Sequence, residues 1–395
     1  VGTLHPADRI SRLPKQFFAR LTAEAARYVE QGFDVINLGQ GNPDLPTPSH
    51  IVEALQQAAE DPATHRYPPF RGLPELKRAA AKWYADRYGV DLAPEREVAI
   101  LPGGKTGLVE ISPALLNPGD VCLVPDPGYP DYLSGIAWAG AEMVPMPLRA
   151  ERRFLPYFAE IPSDVADRAK LMFLNYPNNP TGAAADLAFF ETAVRFAQRH
   201  EIVVFQDFAY GAIGFDGKVP PSFLQVPGAK DVGIELYSFS KTFNMAGWRL
   251  AFAVGRADVI QLLELVHDHF YCSVFGAVQR AGIAALTGPL EPVETMRRTY
   301  ENRRNAFCGE LRRLGYPVQP PEGSFFCWLP VPPGETSEGF AERVLETFHV
   351  VVAPGVGFGP HGEGYVRVGL LAPEERLVEA ARRLAMAYHN ERPKI

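Results

Sequence analysis

The run Ser238-Phe-Ser240-Lys241-Thr-Phe-Asn-Met-Ala-Gly-Trp-Arg249 carries the sharpest chemistry in the chain. A lone lysine is ordinarily a solvated surface group. Lys241 instead ends an apolar strand-like stretch, between small hydroxyls and a glycine-containing loop, with an arginine eight residues on. A lysine in such surroundings loses water and becomes an amine able to form an imine. A guanidinium beside two serines suits a phosphate dianion, because it offers a fork of donors and the hydroxyls add more. An amine for an aldehyde and an arginine for a phosphate together describe a pyridoxal phosphate site.

Further runs belong to the same chemistry. In Ile202-Val-Val-Phe-Gln-Asp207-Phe-Ala-Tyr210, an aspartate closes an apolar strand, where α/β sheets carry functional groups. A helix N-cap is the competing reading. Next to a pyridine ring, the carboxylate would keep the ring nitrogen protonated, and Tyr210 would hydrogen-bond the ring hydroxyl. Asn175-Tyr-Pro-Asn-Asn179-Pro-Thr-Gly182 has the composition of a tight turn, and Asn179 could also donate its side-chain amide to the ring oxygen. Leu101-Pro-Gly-Gly104-Lys105-Thr106 invites a triphosphate-loop reading, but that loop needs glycine at position 99, which is Ala99. A strand ending in glycines before a helix still binds one phosphate through backbone N–H groups and the helix dipole. In Asp126-Pro-Gly-Tyr129-Pro-Asp-Tyr132, a turn by composition, Tyr129 can lie flat on a cofactor ring. In Gly364-Tyr-Val-Arg367-Val-Gly-Leu, an arginine inside an apolar strand needs a partner, either a buried carboxylate or a substrate carboxylate held in a bidentate clamp. The nearby Gly355-Val-Gly-Phe-Gly359 reads as no more than a flexible loop.

Apolar runs at 98–101, 121–124, 170–174, 202–205, 234–237 and 250–254 alternate with helical patterns. Continuous apolar strands of that length are covered on both faces, which predicts a mainly parallel sheet flanked by helices. Helices are predicted over 15–31, 48–59, 74–88, 258–286 with a break, and 292–314, and a short strand over 34–38. From about residue 324, strands at 324–329, 350–353 and 365–369 alternate with helices at 338–347 and 373–389, as in a small α+β domain. The division reads as a large domain over 46–288 and a second one from 1–45 with 289–395. The 395 residues are 47% hydrophobic and 22% charged, which excludes disorder. A net charge of −7 with no basic block argues against a nucleic-acid partner. No apolar run approaches the roughly 18 residues of a spanning helix, and four scattered cysteines without metal-ligand spacing suit reduced thiols in a cytoplasmic protein.

With these residues in place the chain resembles, nearly end to end, the class I/II aminotransferases of the fold type I pyridoxal phosphate enzymes. The matching set is Asn179-Pro-Thr-Gly, Asp207-x-x-Tyr210, Ser238-x-Ser240-Lys241, Arg249 and Arg367. The resemblance implies that Lys241 condenses with the cofactor aldehyde and Asp207 faces the ring nitrogen. It further implies that Tyr210 and Asn179 hold the ring oxygen, and that Tyr129 stacks on the ring. Ser238, Ser240, Arg249 and the amides of Gly104 and Lys105 would bind the phosphate. Arg367 would take the substrate α-carboxylate, with Gly41 and Asn179 nearby. Tyr67, in His65-Arg-Tyr67-Pro, matches a tyrosine that reaches the neighbouring subunit's phosphate, implying a homodimer with shared sites. The family's phosphate loop often has a hydroxyl residue where this chain has Lys105.

Leu13-Pro-Lys-Gln-Phe-Phe18, Asn37-Leu-Gly-Gln-Gly-Asn-Pro-Asp44 and Asp207–Asp216 are similar to the methionine-salvage aminotransferases, which make methionine from 4-methylthio-2-oxobutanoate. The stretch His267–Ser273 lacks an arginine for a second substrate carboxylate, and Phe17, Phe18, Phe70 and Tyr271 are candidates for an apolar side-chain pocket. Aspartate, aromatic or LL-diaminopimelate aminotransferases are the alternatives within the family, and a pyridoxal phosphate β-lyase acting on sulfur amino acids is the alternative outside it. A regulator's effector-binding domain would call for an attached DNA-binding module, for which the charge is wrong.

Overall fold

The computed structural model describes residues 4–13 and 19–390. Its strands, numbered in chain order, are β1 (Ile36–Asn37), β2 (Val98–Leu101), β3 (Val121–Asp126), β4 (Glu142–Pro147), β5 (Ala169–Asn175) and β6 (Val203–Asp207), then β7 (Gly233–Ser238), β8 (Ala251–Gly255), β9 (Phe326–Pro330), β10 (Val350–Val351), β11 (Ala353–Pro354) and β12 (Tyr365–Gly369). The main sheet runs β2-β8-β7-β6-β5-β3-β4. Only β8 is antiparallel to its neighbours, so the predicted mainly parallel sheet is present.

Burial explains why the strands read as continuous apolar runs. Every residue of β2, β3, β7 and β8 is buried. Successive side chains feed opposite faces. Val98 and Ile100 join Trp83, Tyr84 and Phe190 on one side, while Ala99 and Leu101 join Leu108, Ile111 and Ile260 on the other. Helices Gly104–Leu115, Asp131–Ala139 and Ala257–Phe270 cover the second face, and Pro74–Tyr88, Leu187–His200 and Gly276–Thr287 pack on the first. Each fully buried Leu, Ile or Phe contributes roughly 1.5–3 kcal/mol by removal from water.

Element boundaries follow local signals. Pro74 opens its helix, and Gly89 closes it in the left-handed conformation, at φ 65°. The predicted break in 258–286 falls between Phe270 and Gly276. The first long helix is described as Ala19–Glu30, so the predicted positions 15–18 lie outside the described residues. Sequence reading missed β4 altogether. It carries Pro145 and Pro147 and is largely exposed, as only an edge strand can be.

A second sheet, β11-β12-β9, is antiparallel and places Arg367 in its central strand, opposite Ala353 and Trp328. Helices Glu291–Arg313, Ser337–Phe348 and Glu374–Tyr388 bury Phe307, Phe340, Val344 and Leu384 beside it. The short β1 pairs in parallel with β10 as a separate two-stranded sheet, and the Leu38 carbonyl accepts from the Gly369 N–H at 2.7 Å, tying the Gly39–Asp44 loop to β12. Among the described residues no helix is long and apolar enough to cross a membrane.

Candidate active site

Parallel strands deliver their carboxyl ends to one edge of a sheet, and that edge is where this site is built. Asn175 closes β5, Asp207 closes β6, Ser238 closes β7, and Gly104 follows β2. Because β8 runs the other way, its entry point reaches the same edge and brings Arg249 with it. From across the gap, β12 supplies Arg367 and the loop after β1 supplies Gly39 and Gly41. All of these but Asn175, which is hydrogen-bonded to Asn179 and Asp207, line one cleft of about 460 Å³.

Lys241 lies in the short turn of helix Phe239–Thr242, and its ammonium donates to the Gly41 carbonyl at 2.8 Å, above the Phe325 ring. Burial pushes its pKa down to about 8, helped by the positive charges of Arg367 and Arg249 and opposed by Asp207. The free amine is therefore reached far more readily than in a solvated lysine. Asp207 accepts from the Tyr132 hydroxyl at 2.9 Å and the Ala209 N–H at 3.2 Å. Burial raises its carboxyl to about 6 despite those donors. A cation brought to the cleft side of this acid would favour its charged form.

Arg367 is buried, its guanidinium held between the rings of Phe326 at 4.2 Å and Phe358 at 4.7 Å. It donates to Asn179 Oδ1 at 2.9 Å and the Gly39 carbonyl at 2.8 Å. That commits the Asn179 oxygen and leaves its amide as the donor for the cleft. Asn175 fixes Asn179 in turn, accepting from its N–H at 2.8 Å and donating to the Asp207 carbonyl at 2.9 Å. Tyr210 is buried edge-on against Phe325 and Phe326, and burial pushes its hydroxyl pKa well up, so it remains a donor. Tyr129 stands edge-on to Tyr132, which stacks on Phe173 at 4.8 Å.

At the far end Arg249 lies across Gly103, so closely that a β-carbon there would be 2.3 Å from Nη2. Gly103 is at φ +94°, at the mouth of helix Gly104–Leu115, whose first-turn N–H groups have no helical acceptor. Ser238 and Ser240 are buried beside it. A guanidinium fork, two hydroxyls and a helix N-terminus form a cradle that fits a phosphate. At the other end an amine of lowered pKa and a buried acid fit an aldehyde-bearing pyridine. The residues present therefore fit pyridoxal phosphate.

Every site residue predicted from the sequence lines this cleft, apart from Tyr67. Tyr67 is 86% exposed on the surface of a single chain. Phe70 and Tyr271 are also exposed and do not line the cleft, so within one chain they form no substrate pocket. Phe17 and Phe18 lie outside the described residues. The Lys105 side chain turns to Asp131, with Nζ 3.0 Å from Oδ1, while its backbone N–H lies in the first turn of helix Gly104–Leu115. Sequence reading missed Tyr132, Asn175, Phe326 and Phe358. Tyr132 and Asn175 sit inside motifs already singled out, and their spacing from Tyr129 and Asn179 was the available signal. The two phenylalanines become visible only once β9 and the loop after β11 meet Arg367.

The family model for aminotransferase class I and II matches residues 34–384. The chain is 57% identical to the L-glutamine–4-(methylsulfanyl)-2-oxobutanoate aminotransferase of Bacillus subtilis, over 95% of this chain and 94% of that one. It is 51% identical to the LL-diaminopimelate aminotransferase of Moorella thermoacetica, over 96% and 98%. The solved structure of substrate-bound BacF from Bacillus subtilis superposes with a TM-score of 0.93 at 49% identity, covering 97% of this chain and 98% of that one. The fold and site define a pyridoxal-phosphate-dependent enzyme of fold type I. The chain belongs to the class I and II aminotransferases, and it moves amino groups between amino acids and 2-oxo acids.

Proposed function

We propose that the chain aminates 4-methylthio-2-oxobutanoate to methionine. One observation carries this reading: among the described cleft residues the guanidiniums are Arg249 and Arg367, and the phosphate and the substrate α-carboxylate would take one each. Of the two lysines that line the cleft, Lys241 is the amine for the aldehyde and Lys105 is paired with Asp131. Among the described residues of one chain no further guanidinium lines the cleft for a second substrate carboxylate, whereas Leu108, Val351, Ala353, Phe326 and Phe358 offer apolar contact to a thioether. The likeness to the Bacillus subtilis enzyme supports the same acceptor and suggests L-glutamine as donor.

When bound, pyridoxal phosphate supplies an aldehyde for amine capture and a cationic ring that draws electron density from the substrate Cα. Asp207 would hold the proton on the ring nitrogen. Tyr210 and the Asn179 amide would donate to the ring oxygen, and Tyr129 would cover the ring. Ser238, Ser240, Arg249 and the N–H groups of Gly104 and Lys105 would anchor the phosphate. Arg367 would grip the substrate α-carboxylate and so orient the bonds at Cα. With the cofactor bound, the Lys241 amine would be the general base and acid that holds the proton at the substrate Cα. The Gly41 carbonyl is a resting acceptor for its ammonium.

Residues 46–288 and the pair 1–45 with 289–395 are proposed as the large and small domains, the first centred on the seven-stranded sheet and the second on the three-stranded one. A homodimer is proposed as well. Tyr67, Phe70, Phe270, Tyr271 and Phe275 are large and exposed, and the two segments that carry them meet where the His65 ring lies 6.4 Å from that of Phe275. A second copy would cover them and receive Tyr67 at its phosphate. The substrate reading is tested by kcat/KM across 2-oxo acids. The methylthio acid should exceed oxaloacetate at least tenfold, and the reverse order would overturn the assignment.

A further inference from the structure

Asp126 takes no part in the chemistry above, yet it is buried at the last position of β3, beside the cleft. Its carboxylate is spoken for by one residue from the opposite wall. Oδ1 accepts the His361 backbone N–H at 3.1 Å, and Oδ2 accepts from His361 Nδ1 at 2.7 Å. The fit leaves no slack: Gly359 sits at φ +129°, and a β-carbon on it would be 2.1 Å from Oδ1. Two residues along from Asp126, the Gly128 N–H donates to the Phe358 carbonyl at 2.8 Å. The Gly355–Gly359 run is thus pinned rather than loose, contrary to its reading from sequence.

Phe358 is what the pinning serves. Its ring covers the Arg367 guanidinium at 4.7 Å and is braced edge-on by Trp328 at 5.9 Å. Burial between Phe358 and Phe326 lowers the Arg367 pKa to about 10. A guanidinium stripped of water on both faces gains more from a carboxylate than a hydrated one. On the other side of the latch, Asp126-Pro-Gly leads directly to Tyr129. One carboxylate therefore ties the wall bearing Tyr129 to the wall bearing Arg367.

We infer that Asp126 and His361 are positioning residues that latch Phe358 over Arg367 and so set the affinity of the site for the substrate α-carboxylate. This rests on reading Arg367 as the carboxylate clamp. His361 has a side chain 41% exposed, so replacing it leaves the core intact.

The test uses the cofactor-loaded enzyme as His361→Ala, His361→Asn and Arg367→Gln. Binding of 4-methylthiobutanoate, a monocarboxylate with no reacting group, is measured by calorimetry alongside steady-state kinetics. Loss of one charge-assisted bond should weaken the probe and raise the oxo-acid KM by about five- to tenfold in His361→Ala, with kcat within about twofold. Asparagine places an amide donor near the position of Nδ1, so His361→Asn should recover most of the affinity. Hydrogen exchange at Gly128 and His361 should quicken in His361→Ala alone. If probe affinity is unchanged in His361→Ala, or if asparagine restores nothing, the latch is overturned while the clamp stands. If Arg367→Gln binds the probe like the parent, the clamp fails and the latch falls with it.

Discussion

Two buried acids on neighbouring strands separate structural from functional burial. Glu235, in the middle of β7, and Asp207, at the end of β6, lie one register step apart, since Gln206 pairs with Glu235 and Asp207 with Leu236. They therefore point to opposite faces of the sheet. Burial raises both carboxyls, Glu235 to about 7 and Asp207 to about 6. Glu235 is wholly enclosed and met by three donors: Tyr84 Oη at 2.7 Å, Ser222 Oγ at 2.7 Å and the Phe223 N–H at 2.8 Å. Asp207 has two donors and faces the cleft. A raised pKa thus marks burial in both cases, and only the cleft side of Asp207, left for a partner the chain does not contain, marks function.

The sharpest way to break that contrast is Asp207→Asn. An amide in its place cannot balance a protonated ring nitrogen, so turnover should fall by about 10³, comparable to losing one preorganised electrostatic contact. Thermal unfolding of the cofactor-free protein should not drop, because a desolvated charge has been removed. A Tm loss matching that of a core mutation would place Asp207 with Glu235 as a structural acid.

Glu235→Ala should do the opposite, leaving kcat nearly unchanged and costing about 3 kcal/mol or more, since three donors lose their acceptor inside the core. The subtler variant is Glu235→Gln, read through pH. The folded-state pKa is raised from 4.5 to about 7, so between these values the folded chain keeps a proton the unfolded chain has released. Stability from this group is full below pH 4.5 and is lost as pH rises through 7, by on the order of 3 kcal/mol. Urea unfolding at pH 5 and pH 8 should therefore show glutamine closer to the parent, or above it, at pH 8. An equal difference at both pH values would mean that the three donors fully offset the charge and that the pKa is ordinary.

The same contrast explains what was legible in the sequence. Asp207, Lys241 and Arg249 stood out because each breaks an apolar or glycine-rich pattern at a strand end, and strand ends follow from local periodicity. Glu235 breaks the pattern just as visibly, yet no role could be read for it. Its partners come from positions 84 and 222–223, and only the folded sheet brings them together. Tyr132 and Asn175 fall between these cases: near a recognised motif in sequence, but given meaning by Asp207 across strands. The edge strand β4 was hidden for another reason, because its prolines erase the signal that the other strands carry. The run Gly355–Gly359 looked featureless since its order comes from Asp126, more than two hundred positions earlier.

The smallest expected effect concerns Lys105, where geometry separates a residue's backbone from its side chain. The side chain is 52% exposed and paired with Asp131 at 3.0 Å, whereas its N–H belongs to the first turn at the phosphate cradle. Exposed pairs of this kind contribute within about 1 kcal/mol. Lys105→Gln keeps the N–H and should shift cofactor affinity less than about threefold and stability less than about 0.5 kcal/mol. Arg249→Gln, which removes a charged fork from the same cradle, should weaken cofactor binding by about 1.5–3 kcal/mol, or more than tenfold. Equilibrium titration of the cofactor-free variants compares the two directly. Were Lys105→Gln to match Arg249→Gln, the lysine would be a phosphate ligand through its ammonium, and its contact with Asp131 would give way when the cradle fills.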